Sequence, residues 1–286
     1  MNDFLSRYFS RIGWTATPEV SVNTLRELVI HHCDAIPFEN LDVLLGREIQ
    51  LDCRSIEAKL IAAGRGGYCY EHSGLLQRVL HEIGFPVRSL MARVLISDPV
   101  APPARTHRLL LTELGNHPWI VDAGFGGNTL TAPIPLQAGT VQQTRHNTYR
   151  LVNNNNQWTL QIEIDGRWQT MYAFDLSQQY DADYVMANFY VAHWPDSRFR
   201  HNLIMCRHLP DGSRLTLNNF LLSHKSQHRA TEKYVIPDAA TLYDVIQRRF
   251  ALSVSDKNYG FSAPQLYAVM EKITAEKSAR PSAESS

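Results

Sequence analysis

The chain has 286 residues, with 28 Lys plus Arg balanced by 28 Asp plus Glu, 44% hydrophobic and 10% aromatic residues. That composition supplies cores for two or three packed units and excludes disorder over most of the length. The balanced charge offers none of the basic excess of a nucleic-acid binder. Met1–Ser10 mixes Asp3 and Arg7 with Phe4, Leu5, Tyr8 and Phe9, which is not a secretory pattern, and no apolar run approaches the roughly 20 residues of a membrane helix. The expectation is a soluble cytoplasmic protein, monomer or homodimer, with no membrane partner.

The first third reads as helices. Thr24-Leu25-Arg26-Glu27 has the form of a capping box, followed by apolar residues at helical spacing. Asp52 is placed to cap a second helix through Ile56, Leu60 and Ile61. A third begins near Cys69, runs through Leu75, Leu76, Val79 and Leu80, and stops before Gly84 and Pro86.

The middle reads as antiparallel strands. Val87, Leu90, Val94 and Ile96 lie in a β-rich stretch. Leu109–Leu111 and Trp119–Val121 flank the turn signal Gly115-Asn116. Tyr149–Val152 and Trp158–Ile164 flank the polar run Asn153–Asn156. In the last third, Leu215–Phe220 and Tyr234–Ile236 are strand-like, and Leu242–Phe250 and Gln265–Ile273 are helical. A small polar tail follows from Ser278.

Among four cysteines, none paired as C-x-x-C, Cys69 stands apart. Arg65-Gly66-Gly67-Tyr68-Cys69 places a glycine-rich loop directly before a predicted helix, with the thiol at the junction. The unpaired N–H groups of a helix start favour a thiolate, which is the nucleophilic form. The same pattern also suits a tight turn whose cysteine merely packs. A thiolate nucleophile needs a base and a group that orients it, and 12 histidines are available. A hairpin centred on Gly115-Asn116 puts His107 opposite Gly124, so Asp122 becomes its diagonal neighbour on the same face. A carboxylate on one imidazole nitrogen would leave the other for the thiol. An ordinary surface pair of Asp and His fits that register equally.

Four blocks in order carry a resemblance. They are Ile36-Pro37-Phe38-Glu39-Asn40-Leu41-Asp42, Arg65–Cys69, Arg105-Thr106-His107-Arg108 and Asp122-Ala123-Gly124-Phe125-Gly126-Gly127. The likeness continues through Asn188-Phe189, Ser197-Arg198-Phe199 and Leu215-Thr216. Together they resemble the arylamine N-acetyltransferase family, and within it the enterobacterial N-hydroxyarylamine O-acetyltransferases. The resemblance implies a catalytic Cys69, His107 and Asp122. It implies a ping-pong cycle in which acetyl-CoA, a cosubstrate and not a bound cofactor, acetylates Cys69 and an aromatic amine, hydroxylamine or hydrazine then takes the acetyl group.

The implied fold is α+β: an N-terminal helical bundle (1–84) carrying the nucleophile, a central antiparallel β-barrel (85–190) carrying His107 and Asp122, an interdomain segment (191–210), a C-terminal α/β lid (211–278) and a flexible tail (279–286). Phe38 and Phe125 match apolar walls for the acceptor, Glu39 and Arg65 an ion pair holding the glycine-rich loop, and Thr106, Gly126 and Gly127 positions of close approach for the donor. The Pro-rich segment Ser97–Arg105 matches a loop beside the cleft. Where the family usually carries Asn, this chain has Ser73. His193, His201, Cys206 and His208 lie close in sequence at no zinc spacing, so no metal is expected. A transglutaminase-like thiol hydrolase, a macrocycle-forming amide synthase of the same family, and a non-catalytic binding module remain as alternatives.

Overall fold

The computed structural model describes residues 2–226 and 229–279. Helices α1 (Asp3–Ile12) and α2 (Val22–Ala35) come first, followed by the short strand β1 (Phe38–Glu39), α3 (Leu41–Leu44) and α4 (Cys53–Glu57). A π-helical turn over Ala58–Ala62 leads to α5 (Cys69–Ile83). Asp52 caps α4 as expected, accepting from the Arg54 and Ser55 N–H groups. The cap of α2 differs from the one read at Thr24. Ser21, extended at φ −145°, is the capping residue, and its hydroxyl accepts from the Thr24 N–H at 3.2 Å. Thr24 itself is buried inside the first turn, so the helix starts one turn before the expected box. The α5 helix ends at Gly84 in the left-handed region (φ 108°), where a side chain would be strained.

Strands β2 (Val87–Val94), β3 (Arg105–Leu114), β4 (His117–Val121), β5 (Ile134–Pro135), β6 (Val141–Gln143), β7 (Thr148–Asn154), β8 (Gln157–Ile164) and β9 (Arg167–Phe174) follow. Among the described residues they form one antiparallel sheet in the order β5-β4-β3-β2-β9-β8-β7-β6. Residues between β5 and β6 nearly close it into a barrel. Leu136 N–H donates to Pro118 at one edge (2.9 Å) and Gly139 N–H to Leu151 near the other (2.8 Å). The hairpin register is the one the turn implied, with Leu114 opposite His117 and Leu110 opposite Val121. Gly115 and Asn116 both have positive φ (56° and 65°), the twist that a two-residue hairpin between right-twisted strands requires. Asn155 and Asn156 repeat the device between β7 and β8.

Next comes α6 (Asp181–His193), unread in the sequence, so the expected boundary at 190/191 falls inside a helix. Its outer face exposes Val185, Met186 and Phe189; with apolar residues on both faces, helical periodicity is masked. The short α7 (Arg198–His201) precedes β10 (Ile204–His208), β11 (Arg214–Asn218), β12 (Leu221–Lys225) and β13 (Glu232–Val235), then α8 (Ala239–Arg248) and α9 (Ala263–Ala279). The N-terminal strand β1 joins this second sheet beside β10, with Phe38 opposite Cys206 and Glu39 opposite Met205. The tail expected to be flexible lies, from residue 280 on, outside the described residues.

Among the described residues the apolar side chains gather into four clusters, the smallest of them around Phe38, Tyr68 and Cys69. One packs α1, α2 and α5 through Tyr8, Leu28 and Val79. A second fills the barrel with Leu90, Leu109, Leu160 and Tyr172. A third joins the C-terminal sheet to α8 and α9 through Leu217, Ile246 and Ile273. The seam between them is where the reactive groups meet.

Candidate active site

Cys69 is the first residue of α5 and is buried. The loop before it must pass very close to its neighbours. A Cβ on Gly66 would lie 2.1 Å from the Pro37 carbonyl oxygen, and one on Gly67 would lie 2.5 Å from Glu71 Oε2, so only glycine fits. Beneath the loop sits a buried ionic cluster. Arg65 pairs with Glu39 (2.6 Å) and Asp42 (3.2 Å), and Lys59 bridges Asp42 (2.6 Å) and Glu71 (2.7 Å). The Glu39–Arg65 pair is therefore present and belongs to a larger network. Burial pushes the Asp42 carboxyl up, but Lys59 and Arg65 outweigh it and hold the group down at about 2. Glu71 Oε2 also accepts the Tyr68 N–H at 3.1 Å, tying the cluster to the residue before the thiol.

Strand β3 carries His107 against this helix start. Its Nε2 lies 2.8 Å from Asp122 Oδ2, and both side chains are buried. Asp122 Oδ1 accepts the Gly124 N–H at 3.1 Å, which fixes the carboxylate plane. With Nε2 engaged, Nδ1 is left for Cys69, which is near enough to help raise the imidazole's pKa. Burial draws the His107 pKa down; the charge and hydrogen bond of Asp122 outweigh it, Cys69 adds to them, and the imidazole is pushed up to about 10. The Cys69 thiol also faces the Thr106 carbonyl oxygen, 3.8 Å away. Phe125 meets the His107 ring edge-on (centroids 4.8 Å) and Tyr172 packs at 5.0 Å. Such an arrangement can generate a thiolate beside an imidazolium and take up or return one proton.

Ser73, one turn along α5, donates to the Arg108 carbonyl oxygen at 2.8 Å. It pins the residue after His107 to the helix of Cys69.

Cys69 and His107 line a cavity of about 520 Å³, within the range of small-molecule sites. Phe38, Phe125 and Thr106 are on its wall, as are Ile96, Ser97, Pro103 and Ala104 from the loop expected beside the cleft. Gly126 is not on that wall; it lies behind Phe38, where a Cβ would sit 3.5 Å from the ring. The sequence reading missed Tyr190, Trp194 and Arg198, which complete the wall. The i, i+4 spacing of Tyr190 and Trp194 was the available signal for the first two. A second, larger cavity of about 750 Å³ adjoins the first, sharing Ala104, Thr106, Tyr190 and Trp194. Its lining includes no cysteine, and Cys69 and His107 both face the smaller one.

Behind Cys69 runs a buried chain that the sequence did not suggest. Tyr8 Oη lies 3.0 Å from His32 Nδ1, His32 Nε2 lies 2.9 Å from His72 Nδ1, and His72 Nε2 lies 3.2 Å from the Pro37 carbonyl oxygen. Because the carbonyl only accepts, the protons have one consistent arrangement: each group donates toward Pro37 and both imidazoles are neutral. Burial holds both pKa values low, that of His72 at about 4. Among the described residues no group of three or more His, Cys, Asp or Glu could hold a metal ion, and no helix is long and apolar enough to cross a membrane.

The profile of a family described as N-acetyltransferase matches residues 21–259. The arylamine N-acetyltransferase of Escherichia coli K12 is 54% identical over 270 residues, covering 94% of this chain and 96% of that protein. The Salmonella typhimurium arylamine N-acetyltransferase / N-hydroxyarylamine O-acetyltransferase is 52% identical over 270 residues, covering 94% and 96%. The solved Salmonella typhimurium structure superposes with a TM-score of 0.93 at 51% identity, covering 95% of this chain and 99% of that one. Mycobacterium marinum arylamine N-acetyltransferase in complex with CoA gives 0.88 at 37% identity, covering 94% and 99%.

Proposed function

The chain belongs to the arylamine N-acetyltransferase family of acyltransferases, and from that membership we propose a ping-pong reaction through acetyl-Cys69. Acetyl-CoA is the donor, and aromatic amines, arylhydroxylamines and hydrazines are the acceptors. The observation that carries the assignment is the 2.8 Å Asp122–His107 contact, which leaves the second imidazole nitrogen to a thiol at a helix N-terminus.

In the first half-reaction the Cys69 thiolate attacks the thioester carbonyl. The bond from that carbon to the CoA sulfur breaks, and the departing thiolate takes the proton held by His107. In the second half the amine nitrogen attacks the acetyl-cysteine, His107 accepts the nitrogen's proton, and the carbon–sulfur bond to Cys69 breaks. Asp122 keeps the imidazole in the orientation and charge state both halves need. Phe38 and Phe125 would hold the aromatic ring, and Thr106 would border the donor. The neutral protein needs no bound cofactor or metal for these steps.

We read residues 1–84, 85–190 and 211–278 as bundle, barrel and α/β lid joined by 191–210, and the reaction as cytoplasmic, where a free thiol is maintained. Monomer and homodimer both suit the site.

The test is intact-protein mass. Acetyl-CoA alone adds one acetyl group, an arylamine then removes it, and Cys69→Ser gains no turnover-competent adduct. Absence of any acetyl adduct on the unaltered protein would refute the mechanism.

A further inference from the structure

Helix α5 carries a buried histidine that the mechanism does not use. His72 lies one turn after Cys69. Its Nε2–H donates to the Pro37 carbonyl oxygen at 3.2 Å, and its ring lies nearly parallel to that of Phe38 (9°, centroids 6.5 Å). The same carbonyl accepts the Gly67 N–H at 3.3 Å, while the Gly67 carbonyl accepts the Glu39 N–H at 2.8 Å. The backbone on both sides of Phe38 is thereby joined to the loop before Cys69, and His72 adds the tie from that backbone to the helix itself.

Two histidines and a tyrosine inside an apolar bundle are costly unless their polar atoms are paired. In the chain from Tyr8 through His32 to His72 each ring nitrogen and the hydroxyl has a partner. His32 occupies His72 Nδ1, so the proton of His72 sits on Nε2, facing Pro37. A satisfied buried chain of this kind specifies one arrangement of the segments it joins. The backbone at Gly124 closes the other side, since a Cβ there would lie 3.1 Å from His72 Cβ.

We infer that His72 is a positioning residue for the second half-reaction: it holds Pro37, and through it the Phe38 wall, in a fixed place relative to acetyl-Cys69. The inference rests on the acetyl-transfer reading. The first half-reaction takes its geometry from the start of α5, His107 and Asp122, so the effect falls on acceptors that need an aromatic wall. The test compares 4-methoxyaniline with methylhydrazine, which has no ring. His72→Asn puts its amide where Nδ1 stood, keeping a partner for His32 but falling short of Pro37; His72→Gln reaches Pro37. In His72→Asn the ratio of kcat/KM for the aromatic amine over the hydrazine falls about fivefold, through KM, while acetylation of Cys69 by acetyl-CoA alone keeps its rate. His72→Gln restores the ratio. A readout on the unaltered protein needs no variant: imidazole ¹⁵N spectra at neutral pH show His72 as the Nε2–H tautomer.

An unchanged ratio, equal losses for both acceptors, or a His72→Gln variant no better than His72→Asn would overturn the inference. Slowed acetylation of Cys69 with the ratio intact would also overturn it, as would a His72 protonated on Nδ1. Failure of the unaltered protein to acetylate either acceptor would instead sink the underlying reading.

Discussion

Replacing His72 by Gln should flatten the acid limb of the stability curve. In the chain Tyr8–His32–His72–Pro37, His72 donates through Nε2 and accepts through Nδ1. Glutamine offers one donor and one acceptor at similar reach and never ionises. His72 titrates at about 4 in the folded protein because burial disfavours its cation, against about 6.5 in the unfolded chain. A proton on Nδ1 would also point two N–H groups at each other across 2.9 Å.

The unfolded state therefore binds a proton between those values while the folded state does not. This contribution is fully present above pH 6.5 and is lost as pH falls toward 4. At about 1.36 kcal/mol per pH unit, His72 removes about 2 kcal/mol of stability between pH 7.5 and pH 5. Urea denaturation of both proteins across that range measures it. The Gln variant should lose about 2 kcal/mol less than the unaltered protein. Asp42, held at about 2, titrates below this window and leaves the comparison undisturbed. Parallel curves for the two proteins would refute the reasoning, since they would mean that His72 ionises normally within the fold.

Asp122→Asn removes the charge that holds the His107 imidazole up against burial. Acetylation of Cys69 should slow by about a thousandfold with secondary structure intact, read by stopped-flow release of CoA and circular dichroism. Ser73→Ala deletes the bond to the Arg108 carbonyl. It should cost about 1 kcal/mol in denaturation and lower kcat with KM for acetyl-CoA unmoved, whereas Ser73→Asn, which keeps a donor, should recover both. Gly124→Ala would place a methyl 2.9 Å from Cys69 Cα and 3.1 Å from His72 Cβ. A loss of about 1–3 kcal/mol in melting experiments and a larger loss of acetylation should follow, because backbone at the start of α5 must move.

Much of the site was legible where local chemistry decides geometry. Gly115-Asn116 dictates a two-residue turn, and the turn sets the register that carries His107 toward Asp122. The glycine pair before Cys69 announces a close backbone approach. What stayed hidden depends on distant residues meeting. Tyr8, His32 and His72 are far apart in sequence, and nothing local marks them as one chain. The α6 helix hides its period because Met186 and Phe189 face outward, and with it went Tyr190 and Trp194 of the cleft wall. Arg198 was in a block that pointed to the family, but its place on the cavity wall emerges only in the fold.

The buried charges under the loop bear on the same point. Lys59 and Arg65, with the part-exposed Arg47 at the edge, face Glu39, Asp42 and Glu71, equal numbers of each sign within one cluster. A set of matched buried pairs adds little net stability over apolar packing, so its value lies in direction: Glu71 holds the Tyr68 N–H and Glu39 holds the Leu41 N–H. Each carboxylate thereby fixes a backbone segment that borders the cleft, one before Cys69 and one after Phe38. Because the cluster is internally balanced, it imposes no net charge on the thiol it positions. The local field at Cys69 is then set by the start of α5 and by His107, whose charge depends in turn on Asp122. Positioning and activation are assigned to separate networks, which is why losing Asp122 should abolish chemistry while leaving the loop in place.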